Sequence, residues 1–266
     1  TVTMQKPLLT IVTTLLLGSS SYAADLAPQA NGDFDTYVLA LSWQTGFCQM
    51  QNDAGKHPTE CQNQQSSAAP LSFLTIHGMW PSLPTSVAQK GISEKRWRNQ
   101  GCAAIGYPDA SADNKCGAAD VPMSPEFKKD LLNYMPGSNS SSCLQKYEYA
   151  KHGVCFAFPP EDYFGTMIRL DSEIRTSPIG AFITENYGKS VDKTAFMQAI
   201  EKAYGAAAKG AVKLSCASHN GQQYLTEMQI ALKADHINQP LSGASFTAAS
   251  GNSGCEPSFV LDAVGF

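Results

Sequence analysis

The chain has 266 residues, and its 19 basic and 23 acidic residues give a formal net charge of −4. With 43% hydrophobic and 16% charged residues, it is long and apolar enough to bury a sizeable core. The negative charge argues against a protein that packages nucleic acid by bulk electrostatic attraction, because such proteins are normally basic. Any contact with a polyanion must therefore be local.

The first 23 residues have the pattern of a secretory signal peptide. Met4 is the expected initiator, with residues 1–3 as an extra segment before it, and Lys6 supplies the basic start. The apolar stretch from Leu8 to Leu17 is too short to span a bilayer as a helix. Residues 21–23 (Ser-Tyr-Ala) resemble a cleavage site, which predicts cleavage after residue 23.

Residues 24–266 are therefore expected to form the mature protein, secreted or periplasmic and without a membrane span. Removal of Lys6 leaves 18 basic and 23 acidic residues, a net charge of −5. Because no low-complexity linker or internal repeat divides this part of the chain, we expect one domain.

Eight cysteines follow the predicted signal peptide. They are Cys48, Cys61, Cys102, Cys116, Cys143, Cys155, Cys216 and Cys255. An even number of cysteines in an exported chain predicts four disulfides. Metal ligation is the alternative, and it is disfavoured because the chain has no Cys-x-x-Cys pair and no histidine pair with ligand spacing. Eight cysteines allow many pairings, and proximity in sequence favours Cys48 with Cys61.

The N-terminal half of the mature chain predicts two strands separated by loops. Tyr37–Trp43 and Leu71–His77 have the apolar character of largely buried strands. The segment from Gln49 to Pro70 is polar and is predicted to be a loop. A second loop, rich in Gly, Ala and Asp, is predicted for Gly101–Val121.

The middle of the chain predicts helices. Ser124 and Pro125 form a typical helix start, with Ser at the cap and Pro in the first turn. This helix is expected to run towards Met135 and to end at Pro136-Gly137-Ser138. Further helices are predicted over Glu161–Arg175, Ile179–Tyr187 and Asp192–Tyr204.

The C-terminal part returns to strands. These are predicted over Ala211–Cys216, Tyr224–Lys233 and Phe259–Leu261, and the second of them alternates apolar with polar residues. Strands and helices follow one another without βαβ regularity. This order indicates the α+β class.

Two short segments, residues 75–81 and 147–155, carry the candidate chemistry. Each contains one histidine, His77 or His152, and two histidines can share acid and base duties near neutral pH. If the second segment is helical, Glu148, Lys151 and His152 share a face. Glu148 is then expected to orient His152 and raise its pKa. Lys151 is expected to stabilise charge that builds on phosphoryl oxygens.

Taken alone, each segment has a simpler structural interpretation. Glu148, Lys151 and His152 could form surface ion pairs one helical turn apart. His77, at the end of an apolar strand, could be a core histidine, and Trp80 could serve packing.

Together, the two segments resemble the ribonuclease T2 family. Residues 74–81 (Leu-Thr-Ile-His-Gly-Met-Trp-Pro) match the family's first active-site segment, with Met79 where the family has leucine. Residues 147–155 (Tyr-Glu-Tyr-Ala-Lys-His-Gly-Val-Cys) match the second, with Tyr149 in its aromatic position. The resemblance extends from residue 37 to residue 266 and is strongest to the bacterial periplasmic members. It implies a central, mostly antiparallel sheet with several helices around it.

The resemblance also implies a role for each matching residue. His152 takes the proton of the 2′-hydroxyl, His77 protonates the departing 5′-oxygen, and Glu148 and Lys151 support the transition state. Trp80 lines the wall of the site. The implied substrate is single-stranded RNA, cleaved to 2′,3′-cyclic phosphates and then to 3′-phosphates without a metal or other cofactor. DNA is not expected to be cleaved, because it lacks the 2′-hydroxyl.

Two positions depart from the family pattern. Tyr147 stands where the family has a third, phosphate-binding histidine; its hydroxyl can donate a hydrogen bond but brings no positive charge. We therefore expect Tyr147 to contact the substrate, with weaker binding. Ser82 stands where many members have an acidic residue that reads a purine, so we expect broad base specificity.

The resemblance further implies the pairs Cys102–Cys155 and Cys216–Cys255. With Cys48–Cys61 favoured by proximity, Cys116 is left to pair with Cys143. The Cys102–Cys155 bridge is expected to anchor the catalytic helix to the loop after Trp80.

Two other kinds of function stay open at this point. The chain could be a catalytically silent T2-like module that binds RNA or inhibits, although all four implied catalytic residues are present. It could also be a metal-dependent phosphoesterase, which the absence of clustered His and Asp ligands disfavours. A monomer is the default expectation.

Overall fold

The computed structural model describes residues 25–251 and 253–265. The signal peptide expected in residues 1–23 lies outside these described residues. A six-stranded sheet forms the centre of the fold. Its strands are β1 (Thr36–Trp43), β2 (Leu74–Pro81), β3 (Ser190–Asp192), β4 (Val212–His219), β5 (Gln222–Lys233) and β6 (Ser258–Val260).

The strand order is β2-β1-β5-β6-β3, with β4 also paired to β5. All pairings are antiparallel except the single parallel contact between β5 and β6. The predicted α+β class with a central, mostly antiparallel sheet is confirmed. Strand β1 lies between β2 and β5, so side chains of β2 and β5 that point to the same face of the sheet can meet across β1.

Ten α-helices surround the sheet in the part of the chain that the structure describes. They are α1 (Gln44–Asp53), α2 (Thr59–Gln62), α3 (Thr85–Ala88), α4 (Glu94–Gln100), α5 (Pro125–Tyr134), α6 (Leu144–His152), α7 (Pro160–Arg175), α8 (Pro178–Glu185), α9 (Lys193–Tyr204) and α10 (Ala206–Ala211). The predicted start of α5 is confirmed, since the Ser124 hydroxyl accepts the backbone N–H of Phe127 at 3.2 Å.

The prediction of a polar loop over residues 49–70 is wrong in part, because α1 extends to Asp53 and α2 covers Thr59–Gln62. Helix α1 lacks an apolar stripe, and its buried face is polar. The Thr45 hydroxyl donates to the backbone oxygen of Asp262 at 2.6 Å, and Gln44 accepts from the Thr75 hydroxyl at 2.8 Å. Such long-range partners leave no periodic signal in the local sequence.

Strand β2 also differs from its prediction. Residues 71–73, expected to open the strand, belong instead to the 3₁₀ turn Pro70–Phe73, which has Pro at its first position. The strand begins at Leu74 and continues through Trp80 to Pro81. Both His77 and Trp80 therefore belong to the sheet rather than to a following loop.

The core lies between the sheet and the helices. Leu39, Leu41 and Trp43 of β1 are fully buried. Helix α7 packs on β2, where the Tyr163 hydroxyl donates to the backbone oxygen of Met79 at 2.5 Å. This contact holds the outer strand of the sheet at the level of the candidate site.

Four disulfides cross-link the described part of the chain. The pairs are Cys48–Cys61, Cys102–Cys155, Cys116–Cys143 and Cys216–Cys255, as expected from the sequence. Within residues 25–251 and 253–265, no helix has the length and apolar character needed to cross a membrane.

Candidate active site

His77 lies in a β-bulge of β2. Strand β1 pairs with Ile76 and with Gly78 but skips the residue between them. A bulge re-aims the side chain that it carries, and bulges are frequent next to active sites. Here the rings of His77 and Trp80 meet edge to face, with centroids 5.3 Å apart. In a regular strand, residues three positions apart point to opposite faces.

Two carboxylates hold the imidazole of His77. Its Nδ1–H donates to Oε2 of Glu227 at 2.6 Å, and its Nε2 lies 3.5 Å from Oε1 of Glu148. Burial lowers the pKa of His77, but the hydrogen bond to Glu227 and the charges of both carboxylates outweigh burial and raise that pKa to about 9. His77 is therefore protonated at neutral pH.

Glu227 is itself fixed. It lies on β5, two strands away from β2, and its Oε1 accepts a hydrogen bond from Nε2 of Gln229 at 2.7 Å. Burial raises the pKa of Glu227, but the hydrogen bond and charge of His77 act more strongly and lower it. The pair is thus an ionised carboxylate and a protonated imidazole.

Helix α6 supplies the other half of the site and is fastened at both ends. Cys143, which precedes the helix with a φ of 53°, is bonded to Cys116. Cys155, shortly after the last helical residue, is bonded to Cys102 in the 3₁₀ turn Gly101–Ile105. The second bridge joins the end of α6 to the segment after β2, as expected.

Glu148 of α6 lies at the centre of the site and is 1% exposed. Its Oε2 accepts the indole N–H of Trp80 at 2.8 Å and lies 4.0 Å from Nε2 of His152. A methyl group on Gly78 would collide with the same oxygen, so β2 and α6 can approach only because residue 78 lacks a side chain. Burial raises the pKa of Glu148, while the charge of His77 and the Trp80 hydrogen bond oppose the rise.

The pKa of His152 moves opposite to the expectation from the sequence. Its ring is buried, and burial together with the charges of Lys151 and His77 holds its pKa well below the usual range. Glu148 was expected to raise the pKa of His152, but the histidine whose pKa it raises is His77. The two histidines therefore differ in charge at neutral pH.

Tyr147 lies at the edge of the site between two lysines. Nζ of Lys151 donates to the Tyr147 hydroxyl at 3.2 Å and lies 5.4 Å from the centre of its ring. Nζ of Lys115, from the 3₁₀ turn Lys115–Gly117, lies 5.9 Å from the same ring centre. This edge of the site therefore carries two lysine side chains.

A cavity of about 320 Å³ opens beside His77. Lys115, Glu227, Gln44 and Ser142 are among the residues that line it. His152 is not among the lining residues, and the volume suits part of a small ligand rather than a macromolecule.

The structure brings six sequence-predicted side chains into one site: His77, Trp80, Tyr147, Glu148, Lys151 and His152. Two further members, Glu227 and Lys115, were missed. The alternation along β5 places Glu227 on a polar face, but no local signal indicates which strand that face meets. The remaining histidines, His57, His219 and His236, lie outside the site, and none of them contacts its residues. Among the described residues, no three His, Cys, Asp or Glu side chains are placed to hold a metal ion.

Comparison with known proteins adds sequence relatives. The family model of the ribonuclease T2 family matches residues 34–241. Ribonuclease I of Escherichia coli (strain K12) is 45% identical over 260 residues, which is 96% of this chain and 96% of that protein. Ribonuclease T2-A of Mus musculus is 23% identical over 214 residues, covering 69% of this chain and 71% of the mouse protein.

Solved structures show the same fold. A mutant of RNase MC1 in complex with 5′-GMP superposes with a TM-score of 0.53 at 17% identity, over 85% of this chain and 99% of that one. The RNase-related protein from Calystegia sepium superposes with a TM-score of 0.50 at 18% identity, over 86% and 98% of the two chains.

Proposed function

The chain belongs to the ribonuclease T2 family, and from this premise we propose that it is an endoribonuclease that cleaves single-stranded RNA by metal-independent transphosphorylation. The proposal rests on two histidine pKa values in one site that are shifted in opposite directions. The pKa of His77 is raised to about 9, and that of His152 is held well below its usual range. Environments that separate two such groups assign the acid and the base.

In the proposed first step, neutral His152 accepts the proton of the ribose 2′-hydroxyl. The 2′-oxygen forms a bond to phosphorus, and the bond from phosphorus to the 5′-oxygen breaks. Protonated His77 gives its proton to that departing oxygen, which leaves a 2′,3′-cyclic phosphate.

The second step hydrolyses the cyclic phosphate with the two roles exchanged. His77, now neutral, accepts a proton from water, and the water oxygen bonds to phosphorus. His152, now protonated, gives its proton to the 2′-oxygen as the ring opens. The product is a 3′-phosphate, and both histidines return to their starting states.

The other residues stabilise charge and geometry. Lys151 contributes a cation near the phosphoryl oxygens, where negative charge builds in the transition state. Glu148 lies between the two histidines and orients the Trp80 indole against them. Tyr147 contacts the substrate through its hydroxyl and ring at the positive edge of the site.

We place the protein in the periplasm or outside the cell, because every cysteine in the described part is disulfide-bonded and such bonds persist in oxidising compartments.

Base specificity is proposed to be broad, because Ser82 offers no carboxylate to read a base. The nucleoside on the leaving side is proposed to enter the cavity beside His77, because His77 protonates the oxygen of that nucleoside.

The test compares the wild type with His152→Ala and with His57→Ala, a matched control at an exposed histidine remote from the site. Each is incubated with labelled single-stranded RNA and with DNA of the same sequence in EDTA, and the product ends are analysed. We expect wild type and His57→Ala to cleave only RNA and to leave cyclic or 3′-phosphate ends, whereas His152→Ala is inactive. Abolition of wild-type activity by EDTA contradicts metal independence. RNA binding without cleavage supports the silent-module alternative.

A further inference from the structure

The Cys116–Cys143 disulfide brings a lysine to the active site from a distant loop. It joins the turn Lys115–Gly117 to the residue that precedes α6. The neighbouring Lys115 is thereby placed 5.9 Å from the centre of the Tyr147 ring, and it lines the cavity beside His77. Lys115 is half-buried, begins the 3₁₀ turn and directly precedes the cross-linked Cys116.

Lys115 has no carboxylate partner within 4 Å among the described residues. The nearby Lys146, by contrast, pairs with Asp120 at 2.6 Å. The charge of Lys115 also lowers the pKa of His77, so Lys115 does not stabilise the protonated imidazole. Lys115 is thus half-buried, has no carboxylate partner among the described residues and disfavours the protonated form of His77. An anion that arrives with the substrate explains its presence at this position.

The cavity wall indicates which anion this is. Lys151, which also contacts Tyr147, does not line the cavity and lies on the helix that carries the proposed base. Lys115 lines the cavity together with His77, the proposed acid. A nucleotide whose 5′-oxygen faces His77 places its own 3′-phosphate farther along that cavity side.

We propose that Lys115 binds the phosphate that follows the leaving nucleotide, and so forms a second phosphate subsite beside the reacting one. This inference rests on the proposed ribonuclease function and extends it from the scissile bond to the neighbouring link of the strand. The Cys116–Cys143 bridge acts as the tether that positions the cation.

The experiment uses two substrates that differ by one phosphate: a dinucleoside monophosphate, and the same dinucleotide with a 3′-terminal phosphate. Wild type, Lys115→Gln, Lys115→Arg and a matched control, Lys129→Gln on the exposed face of α5, are compared by kcat and KM. On the longer substrate we expect Lys115→Gln to raise KM about tenfold with little change in kcat, because a charge-assisted contact is lost. On the shorter substrate the change is at most about twofold.

Three further readouts bear on the subsite. Lys115→Arg is expected to recover most of the loss, and the salt dependence of kcat/KM on the longer substrate is expected to become shallower by about 0.7 in log–log slope in Lys115→Gln. A Cys116→Ser, Cys143→Ser double variant also frees the start of α6, so it is expected to lower kcat on both substrates. It is expected in addition to abolish the KM difference between the two substrates, and adding Lys115→Gln should then change that difference no further.

The outcomes separate the two proposals. An equal loss by Lys115→Gln on both substrates, or no loss on either, overturns the subsite while the ribonuclease function stands. A wild type that cleaves neither substrate overturns the proposed function, and the subsite falls with it.

Discussion

Replacement of Glu227 by Gln tests whether the carboxylate pair makes His77 an acid. The amide keeps the shape of the side chain and can still accept the Nδ1–H of His77, so the ring orientation is retained. The negative charge is lost, and burial then acts against protonation with only Glu148 opposing it. We therefore expect the pKa of His77 to fall from its value of about 9.

The magnitude follows from the contact. A carboxylate at hydrogen-bond distance commonly moves a neighbouring pKa by about 1 to 2 pH units. The alkaline limb of the kcat/KM profile should move to lower pH by that amount. For a change of about 1.5, the protonated fraction of His77 at pH 8.5 falls from about three-quarters to about one-tenth, and kcat/KM falls about eightfold.

The assay is a pH profile of kcat/KM with a dinucleoside substrate, together with an NMR titration of the histidine rings. The acidic limb should stay in place, because His152 is shifted by burial, Lys151 and His77 rather than by Glu227. Glu201→Gln, which removes an exposed carboxylate paired with Lys209, is the matched control and should leave both limbs unchanged. An alkaline limb that does not move, or an acidic limb that does, refutes this assignment of acid and base.

Two further predictions concern buried groups. Gly78→Ala should force Glu148 from its position and reduce kcat/KM at least about a hundredfold, with about 2 kcal/mol lost from stability in thermal melts. Gly210→Ala is the control, because Gly210 has open space around it. Wild-type kinetics in Gly78→Ala would contradict the reasoning. Asp262 is 1% exposed, neither of its carboxylate oxygens has a partner among the described residues, and burial raises its pKa from 3.8 to about 6. Because the folded state binds this proton more tightly than the unfolded state, the contribution of Asp262 to stability falls as the pH rises from about 4 to about 6. Asp262→Asn should therefore stabilise the protein above pH 6 by about 2 to 3 kcal/mol in denaturant unfolding, and by almost nothing below pH 4; an equal effect at both pH values would count against this account.

Elements with local signals could be predicted from the sequence. The cap and proline at Ser124 and Pro125 fixed the start of α5, and the alternation in residues 224–233 identified β5. Helix α1 could not be predicted, because its buried face is polar and finds its partners in Thr75 and Asp262, far away in the chain.

The residues of the candidate site also divide into those with a local signal in the sequence and those without one. His77 and the residues of α6 stand out in two short segments, whose resemblance to a family suggested their roles. The bulge at His77 is a property of strand pairing, and Glu227 reaches His77 across the sheet from a position 150 residues later. Lys115 reaches the site through a disulfide. The electrostatic asymmetry of the two histidines depends on these long-range partners, so residue types alone gave the wrong direction for the pKa of His152.

The fastening of α6 by Cys116–Cys143 and Cys102–Cys155 also bears on when the enzyme becomes active. A nuclease is dangerous to the cell that makes it, because ribosomes and messengers surround the nascent chain. On the proposed export route, neither bond closes in the reducing cytosol. We infer that on this route the helix that carries Glu148, Lys151 and His152 gains its fixed position only after translocation, so that oxidation serves as a maturation step that separates synthesis from activity.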